Sequence, residues 1–258
     1  MADNSYKYSD AGQHWRPGLI AGCTVLSVVW VGSLFWGPLV PIWDWLDRKA
    51  FFFLNGSLLE SGAWSQLWAY LNTRAADIVW AILMALPLLW VMIFDRRWAP
   101  HERLARVLLI GFSMLIAVFI AKRLGGEIGR WSPSNDLRPF VDLSKMFPEL
   151  QPKTGSNDSF PGDHGVTALI YFIGFVVFIK RPWLTVLAGF IVLANTMPRL
   201  MGGGHWISDV LVGAVGFTLA TYPWMVGSPA LQGLQRLVKP ASDKLLWPVL
   251  RKIGISPD

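Results

Sequence analysis

The sequence predicts an all-α integral membrane protein: six transmembrane helices, interfacial helices between the first two, and a long polar loop between the third and fourth. Three observations carry this expectation. The apolar residues come in runs of about 20, the length of helix that crosses a bilayer. Hydrophobic residues make up 53% of the 258 positions and charged residues 16%, a balance that argues against a soluble domain. The 15 tryptophans suit a chain anchored at membrane–water interfaces.

The elements follow from the breakers between runs. Residues 1–17 are polar and have no signal-peptide layout, so they are expected to stay cytoplasmic and the first run, near 18–40, to stay as an anchor. Cys23 is alone inside that run, which leaves neither a disulfide framework nor a cysteine metal site. Residues 44–73 are too polar to span and too aromatic for a free loop, and read as a pair of interfacial helices. Spans two and three fall near 76–95 and 104–123. The stretch 124–163 is rich in Gly, Pro, Ser and Asp and lacks apolar periodicity, the mark of a functional or disordered loop. Spans four to six fall near 165–180, 183–201 and 206–226, completing a domain over 18–226. Residues 227–258 form a tail whose LQRLVKPASDKLLWPVLRKIG is basic and amphipathic, suited to an anionic inner leaflet. No internal repeat of the kind many transporters carry is evident.

A net charge of +6 invites a nucleic-acid partner, but the basic residues are spread over loops with no aromatic-interleaved basic face. Topology accounts for many of them. With the N-terminus inside, Lys7, Arg16, Arg96, Arg97, Arg103, Arg106, Lys180, Arg181 and the tail are cytoplasmic. The outer segments still hold Arg48, Lys49, Arg74, Lys122, Arg123, Arg130, Arg138, Lys145 and Lys153, and many of these need a second explanation.

Four polar groups at span ends supply one (Arg123 with Arg130, Ser159 to His164, Arg199, and His205 with Asp209), because the six-span count puts all four on the same outer face. Ionisable residues gathered at the edge of a bilayer suggest a site. The strongest element is RLMGGGHWISD, residues 199–209, which joins the last two groups. His205 and Asp209 are four apart, on one helical face, so the carboxylate is expected to hold Nδ1–H and leave Nε2 free to attack. The three glycines are expected to offer backbone N–H groups to an anion, aided by the positive end of span six. Arg199 suits phosphate through its planar fork. In PGDHG, His164 heads span four and is the candidate general acid, then base. In KRLGGEIGRWSP, Arg130 and either Arg123 or Lys122 are candidate phosphate ligands. A metal held by His164, His205, Asp163 and Asp209 is the competing reading, and it leaves the arginines unexplained. His14 and His101 fall on the inner side.

The order Arg123-x6-Arg130, PGDH, Arg199-x5-His205-x3-Asp209 resembles the three-part signature of the type-2 phosphatidic acid phosphatase superfamily, K-x6-R-P, P-S-G-H and S-R-x5-H-x3-D. The resemblance implies a six-helix core, a phosphohistidine on His205 and no metal or other cofactor. Arg123 stands for Lys, Trp131 for Pro, Gly162-Asp163 for Ser-Gly and Pro198 for Ser. Gly162 and Asp163 thereby fall among the phosphate-binding positions, although a second negative charge there repels a phosphate. It either makes water a poorer competitor than a bound acceptor or fixes His164.

DSFPGDHG, MPRLMGGGHWISDVLVG and LNTRAAD resemble more closely the branch of lipid A 1-phosphate phosphotransferases of Gram-negative inner membranes, over roughly residues 50–226. That branch implies undecaprenyl diphosphate as donor, the 1-phosphate of Kdo2-lipid A as acceptor and a periplasmic site. Arg74 and Asp77 of LNTRAAD are then candidate headgroup contacts, with a simple ion pair at a helix start as the equal alternative. Two other functions stay open: hydrolysis of a lipid diphosphate, and a non-catalytic lipid-binding protein or transporter.

Overall fold

The computed structural model describes residues 11–59 and 62–252. Residues 1–10 of the expected N-terminal segment, with Lys7, positions 60–61 of the interfacial pair and 253–258 of the tail lie outside the described residues. Among those described, the chain is all-helical with no strand.

Among the described residues four helices are long and apolar enough to cross a membrane: α4 (Arg74–Phe94), α5 (Pro100–Gly125), α9 (Pro182–Met201) and Asp209–Gly227, the expected sixth span, whose second part is α10 (Val215–Gly227). Two expected spans are shorter. In the first, α1 (Pro17–Gly32) starts on a proline whose missing N–H costs nothing there, and turns continue it to Trp36 before Gly37-Pro38 stop it. In the fourth, α8 (Asp163–Gly174) continues through a wide π turn over Phe175–Ile179. At about 1.5 Å per residue, 16 and 17 residues fall short of a ~30 Å hydrocarbon core.

The polar segments between spans are folded. The expected interfacial pair is α2 (Val40–Gly56) and α3 (Gly62–Leu71), and α2 buries Asp47, Phe51 and Asn55 at every fourth position. The 124–163 stretch contains two single-turn helices, α6 (Pro133–Asp136) and α7 (Leu143–Met146). Loose apolar spacing hid this order. Leu143 packs with Leu58, Ala69 and Met201, and Leu137 with Phe51 and Trp206, so the loop is a cap docked over α2 and α3. Asn55 pins it by bonding the Val141 backbone on both its N–H and its carbonyl.

The centre of the bundle is α5, α8 and the sixth span, joined through Ala117, Ala121, Val166, Ile170, Ala214 and Phe217. Small residues let these helices approach closely. A Cβ on Gly174 would lie 2.6 Å from Ile110, and one on Gly165 2.9 Å from Ala214. In the tail, α11 (Ala230–Ala241) turns Leu231 and Val238 onto the core containing α5 and leaves Leu237 outward. It is followed by α12 (Trp247–Lys252). At the end of the bundle formed by the C-terminus of α4 and the N-terminus of α9, Arg97 and Arg181 clasp the buried Asp95 at 2.7 and 2.9 Å. Part of the basic charge assigned to the inner face is therefore structural.

Candidate active site

A pocket of about 340 Å³ opens at the opposite end, lined by Lys122, Lys153, His164, Arg199 and His205 together with the 155–163 segment. The four polar groups singled out in the sequence lie at this end, and their members divide among the pocket wall, the packing behind it and, for Arg123, the exposed side of α5.

His205 follows the glycine run that ends α9. Its Nδ1 stands 2.7 Å from the carbonyl oxygen of Ser159. A carbonyl only accepts, so Nδ1 carries the hydrogen, which in the neutral ring leaves the lone pair on Nε2. Among the described residues Nε2 makes no hydrogen bond. The expected tautomer is therefore present with a different holder. Asp209 Oδ2 lies 3.6 Å from Nδ1, too far for a hydrogen bond, and accepts instead from the Trp206 N–H at 2.8 Å.

The glycines do not form the expected anion cradle. The N–H groups of Gly202, Gly203, Gly204 and His205 all turn back to carbonyls of α9, because a helix end must satisfy its own last acceptors. What the run permits is close approach: Gly203 is left-handed at φ +73°, and a Cβ there would meet Phe51 and Ser134 at 3.1 Å. Nor does span six offer an open helix terminus. Its first N–H groups are taken by Asp209 (from Trp206) and by Asp47 (from Ser208, 2.9 Å). The helix start that does border the pocket is that of α8, through Gly162, Asp163 and His164. Gly162, at φ +73°, has the Asp209 carbonyl 3.3 Å from where a Cβ would stand, and its own N–H goes to Ser159. A Cβ on Gly213 would likewise lie 2.7 Å from the Pro161 carbonyl, so the π turn of span six receives the 159–162 loop.

Asp163 and His164 sit just ahead of the apolar stretch of the fourth span. Asp163 Oδ1 bonds His164 Nδ1 at 2.8 Å, and its Oδ2 faces Lys122 Nζ at 3.1 Å. Of the two roles left open for Asp163, the geometry carries the second, fixing His164. On the other side of the ring, Nε2 lies 3.4 Å from Asp77 and 3.5 Å from Arg199 Nη2. Burial by itself would lower the His164 pKa, but the hydrogen bonds to Asp163 and then Asp77 outweigh it and raise the value. Burial would raise Asp163, but bonding to His164, the neighbouring charges and Lys122 hold it well below the usual carboxylate range.

Arg199, buried, donates to Asp77 at 2.5 Å and to the backbone and side-chain oxygens of Asn72 at 3.3 Å. Asp77 is thus a hub of the site. Arg74, exposed at the start of α4, makes no ion pair with it, so the simple helix-start pair does not form.

The first motif is reassigned. Lys122 lines the pocket, whereas Arg123, one residue and about 100° further round α5, is exposed with its guanidinium 5.7 Å from the Phe119 ring. Arg130 does not line the pocket either. Its Nη1 donates to Asp209 at 2.7 Å and Ser208 at 2.8 Å, its Nη2 to Asp47 at 2.6 Å, and it lies over Trp206. Two buried carboxylates so close to one guanidinium take up the charge expected to face phosphate. Burial pushes the Asp47 carboxyl up, against the pull of Arg130 and of the Ser208 bonds.

Sequence reasoning missed Asp47 and Lys153. An acid in an amphipathic helix and a lysine in a polar loop carry no local signal. The one available hint for Asp47 was its place on the Phe51–Asn55 face of α2.

Asp163, His164 and His205 each bring one ligand atom to within 4.8 Å of the others, the geometry a metal would need. Around these donors Asp163 engages His164, Asp209 is buried behind, and Lys122 and Arg199 flank the cluster. Flanking cations suit an anion.

Residues 106–229 match the sequence model of the family described as PAP2 superfamily. The chain is 32% identical over 222 residues to lipid A 1-diphosphate synthase of Escherichia coli (strain K12), covering 83% of this chain and 86% of that protein. It is 22% identical over 171 residues to lipid A 4'-phosphatase of Bacteroides thetaiotaomicron, covering 66% and 71%. No solved structure matches the chain. Asp47 and Asp77 lie outside the matched residues 106–229, yet both meet residues within them.

Proposed function

This chain belongs to the PAP2 superfamily, and from that premise we propose that it transfers the terminal phosphoryl group of undecaprenyl diphosphate to the 1-phosphate of Kdo2-lipid A. It is a membrane enzyme of the phosphotransferase and phosphatase class. The observation that carries the chemistry is His205, its Nδ1–H on the Ser159 carbonyl and its Nε2 unbonded, in one pocket with Lys122, His164 and Arg199. Identity to the Escherichia coli lipid A 1-diphosphate synthase supports lipid A as the acceptor, and the donor rests on the resemblance carried by DSFPGDHG and MPRLMGGGHWISDVLVG.

In this reading His205 Nε2 attacks the terminal phosphorus. The bond from phosphorus to the bridging oxygen breaks, and His164 gives its proton to that oxygen as undecaprenyl phosphate leaves. An oxygen of the lipid A 1-phosphate then attacks phospho-His205, the N–P bond breaks, and lipid A 1-diphosphate departs with Nε2 regenerated. His164 takes any proton the acceptor gives up. Arg199 and Lys122 bind the transferred phosphoryl oxygens and stabilise the charge spread over them. Asp163 and Asp77 hold the His164 ring, and Arg130 holds Asp209 beneath His205. No metal or other cofactor takes part. The pocket faces the periplasm from the inner membrane, both termini are cytoplasmic, and residues 18–226 form the catalytic domain.

Incubation with undecaprenyl diphosphate labelled in its terminal phosphate tests the proposal. Label on lipid A is the expected result. Label found only as inorganic phosphate would make the enzyme a lipid diphosphate phosphatase, and an unconsumed donor would leave a lipid-binding protein or transporter.

A further inference from the structure

Transfer between a diphosphate and a monophosphate needs two phosphate positions. One holds the phosphorus that His205 attacks. The other holds the inner phosphate of the departing donor, and later the phosphate of the acceptor. The groups described so far fill the first position: Lys122, Arg199 and His164 surround the histidine. Lys153 is left over, on the part of the wall built by Gly155, Ser156 and Asp158.

Lys153 is placed there by design of the loop. Its backbone N–H bonds the carbonyl of Asn72 at 3.0 Å, the oxygen that also accepts from Arg199. Three residues on, Ser156 exchanges backbone bonds with Ser132, its N–H going to the Ser132 hydroxyl and its carbonyl accepting the Ser132 N–H, both at 2.9 Å. The segment is therefore tied at one end to the junction of α3 and α4 and at the other to Ser132 of the cap. The side chain is the movable part. Its Nζ bonds Asp77 at 2.8 Å with 44% of the side chain exposed. Asp77 keeps Arg199 at 2.5 Å and His164 at 3.4 Å when Lys153 leaves. An exposed pair of this kind is weak, so an incoming phosphate competes for the ammonium.

We infer that Lys153 forms a second phosphate subsite that takes the inner phosphate of a prenyl diphosphate and then the phosphate monoester of the acceptor. The inference rests on the transfer reading above. It makes Lys153 a determinant of specificity for two linked or adjacent phosphates over one.

The test uses the full chain in detergent micelles, with inorganic pyrophosphate and inorganic phosphate as competitors of undecaprenyl diphosphate consumption. In Lys153→Ala the inhibition constant for pyrophosphate is expected to rise about tenfold and that for phosphate less than threefold, with Lys153→Arg restoring the difference. An equal loss for both anions would overturn the subsite by making Lys153 part of the His205 position, and no loss for either would overturn it by making Lys153 a rim charge. Should Lys153→Ala lower the thermal midpoint, Lys153→Gln, which can still bond Asp77, is read in its place with the same criteria. Failure of the transfer reading looks different: label from the donor goes only to inorganic phosphate while the preference for pyrophosphate and its dependence on Lys153 persist.

Discussion

Arg130 Nη1 stands 2.7 Å from Asp209 Oδ1, so the cation expected at the phosphate and the carboxylate expected at the histidine neutralise one another inside the protein. Asp47 completes this arrangement from α2 at 2.6 Å. The first and third sequence motifs are thus joined behind the pocket rather than across it.

Removing Asp47 should therefore destabilise the fold. Asp47→Ala strips Arg130 of one buried carboxylate and leaves the Ser208 N–H and hydroxyl without their acceptor. Breaking a buried pair from one side costs about 3 kcal/mol or more. Thermal unfolding of the purified protein is expected to show a midpoint several degrees lower, with Asp47→Asn intermediate. An unchanged midpoint would contradict the buried network.

Neighbouring cations on α5 should behave unequally. Lys122→Ala is expected to reduce turnover of labelled donor at least tenfold, since Lys122 borders both the pocket and Asp163. Arg123→Ala should stay within about twofold, because the loss of an exposed cation–π contact is worth about 0.5–1 kcal/mol and lies outside the pocket. The reverse order would return the first motif to its spacing in the wider family.

His205→Ala should abolish formation of an acid-labile phosphoenzyme and lower turnover by at least about 10³-fold. Asp209→Asn should cost less, about tenfold, because the Ser159 carbonyl continues to hold the Nδ1–H tautomer. If the two losses were equal, Asp209 and not the carbonyl would be orienting the ring.

The pH profile of the first half-reaction reports His164. As general acid it must be protonated, and its pKa is raised above the ordinary 6.5. The burst of undecaprenyl phosphate should accordingly persist past that pH and fall as pH rises through the raised value. Asp163→Asn removes the strongest hydrogen bond favouring the imidazolium, so the alkaline limb should move to lower pH. A limb that does not move would assign it to another group.

Much of the site was legible along the chain. Apolar runs of bilayer length place helices, and alternating crossings place their ends, so Arg199, His164 and His205 could be assigned to one face without a structure. Composition, too polar to span and too aromatic for a free loop, also separated α2 and α3 from the spans. What it could not supply was partner identity. Whether Lys122 or Arg123 meets the pocket depends on the rotation of α5 about its axis, which packing on α8 sets and spacing does not.

The same division holds for the rest. By itself the sequence determined a helical membrane enzyme with a histidine and cations gathered at one end, because hydropathy and residue chemistry are local properties. Only the tertiary structure decided that the glycines close α9, that Ser159 holds His205, and that Asp47, Asp77 and Lys153 belong to the site. The contacts of Ser159, Asp47, Asp77 and Lys153 join residues separated by 46 to 161 positions, and no local pattern encodes a partner that far along the chain.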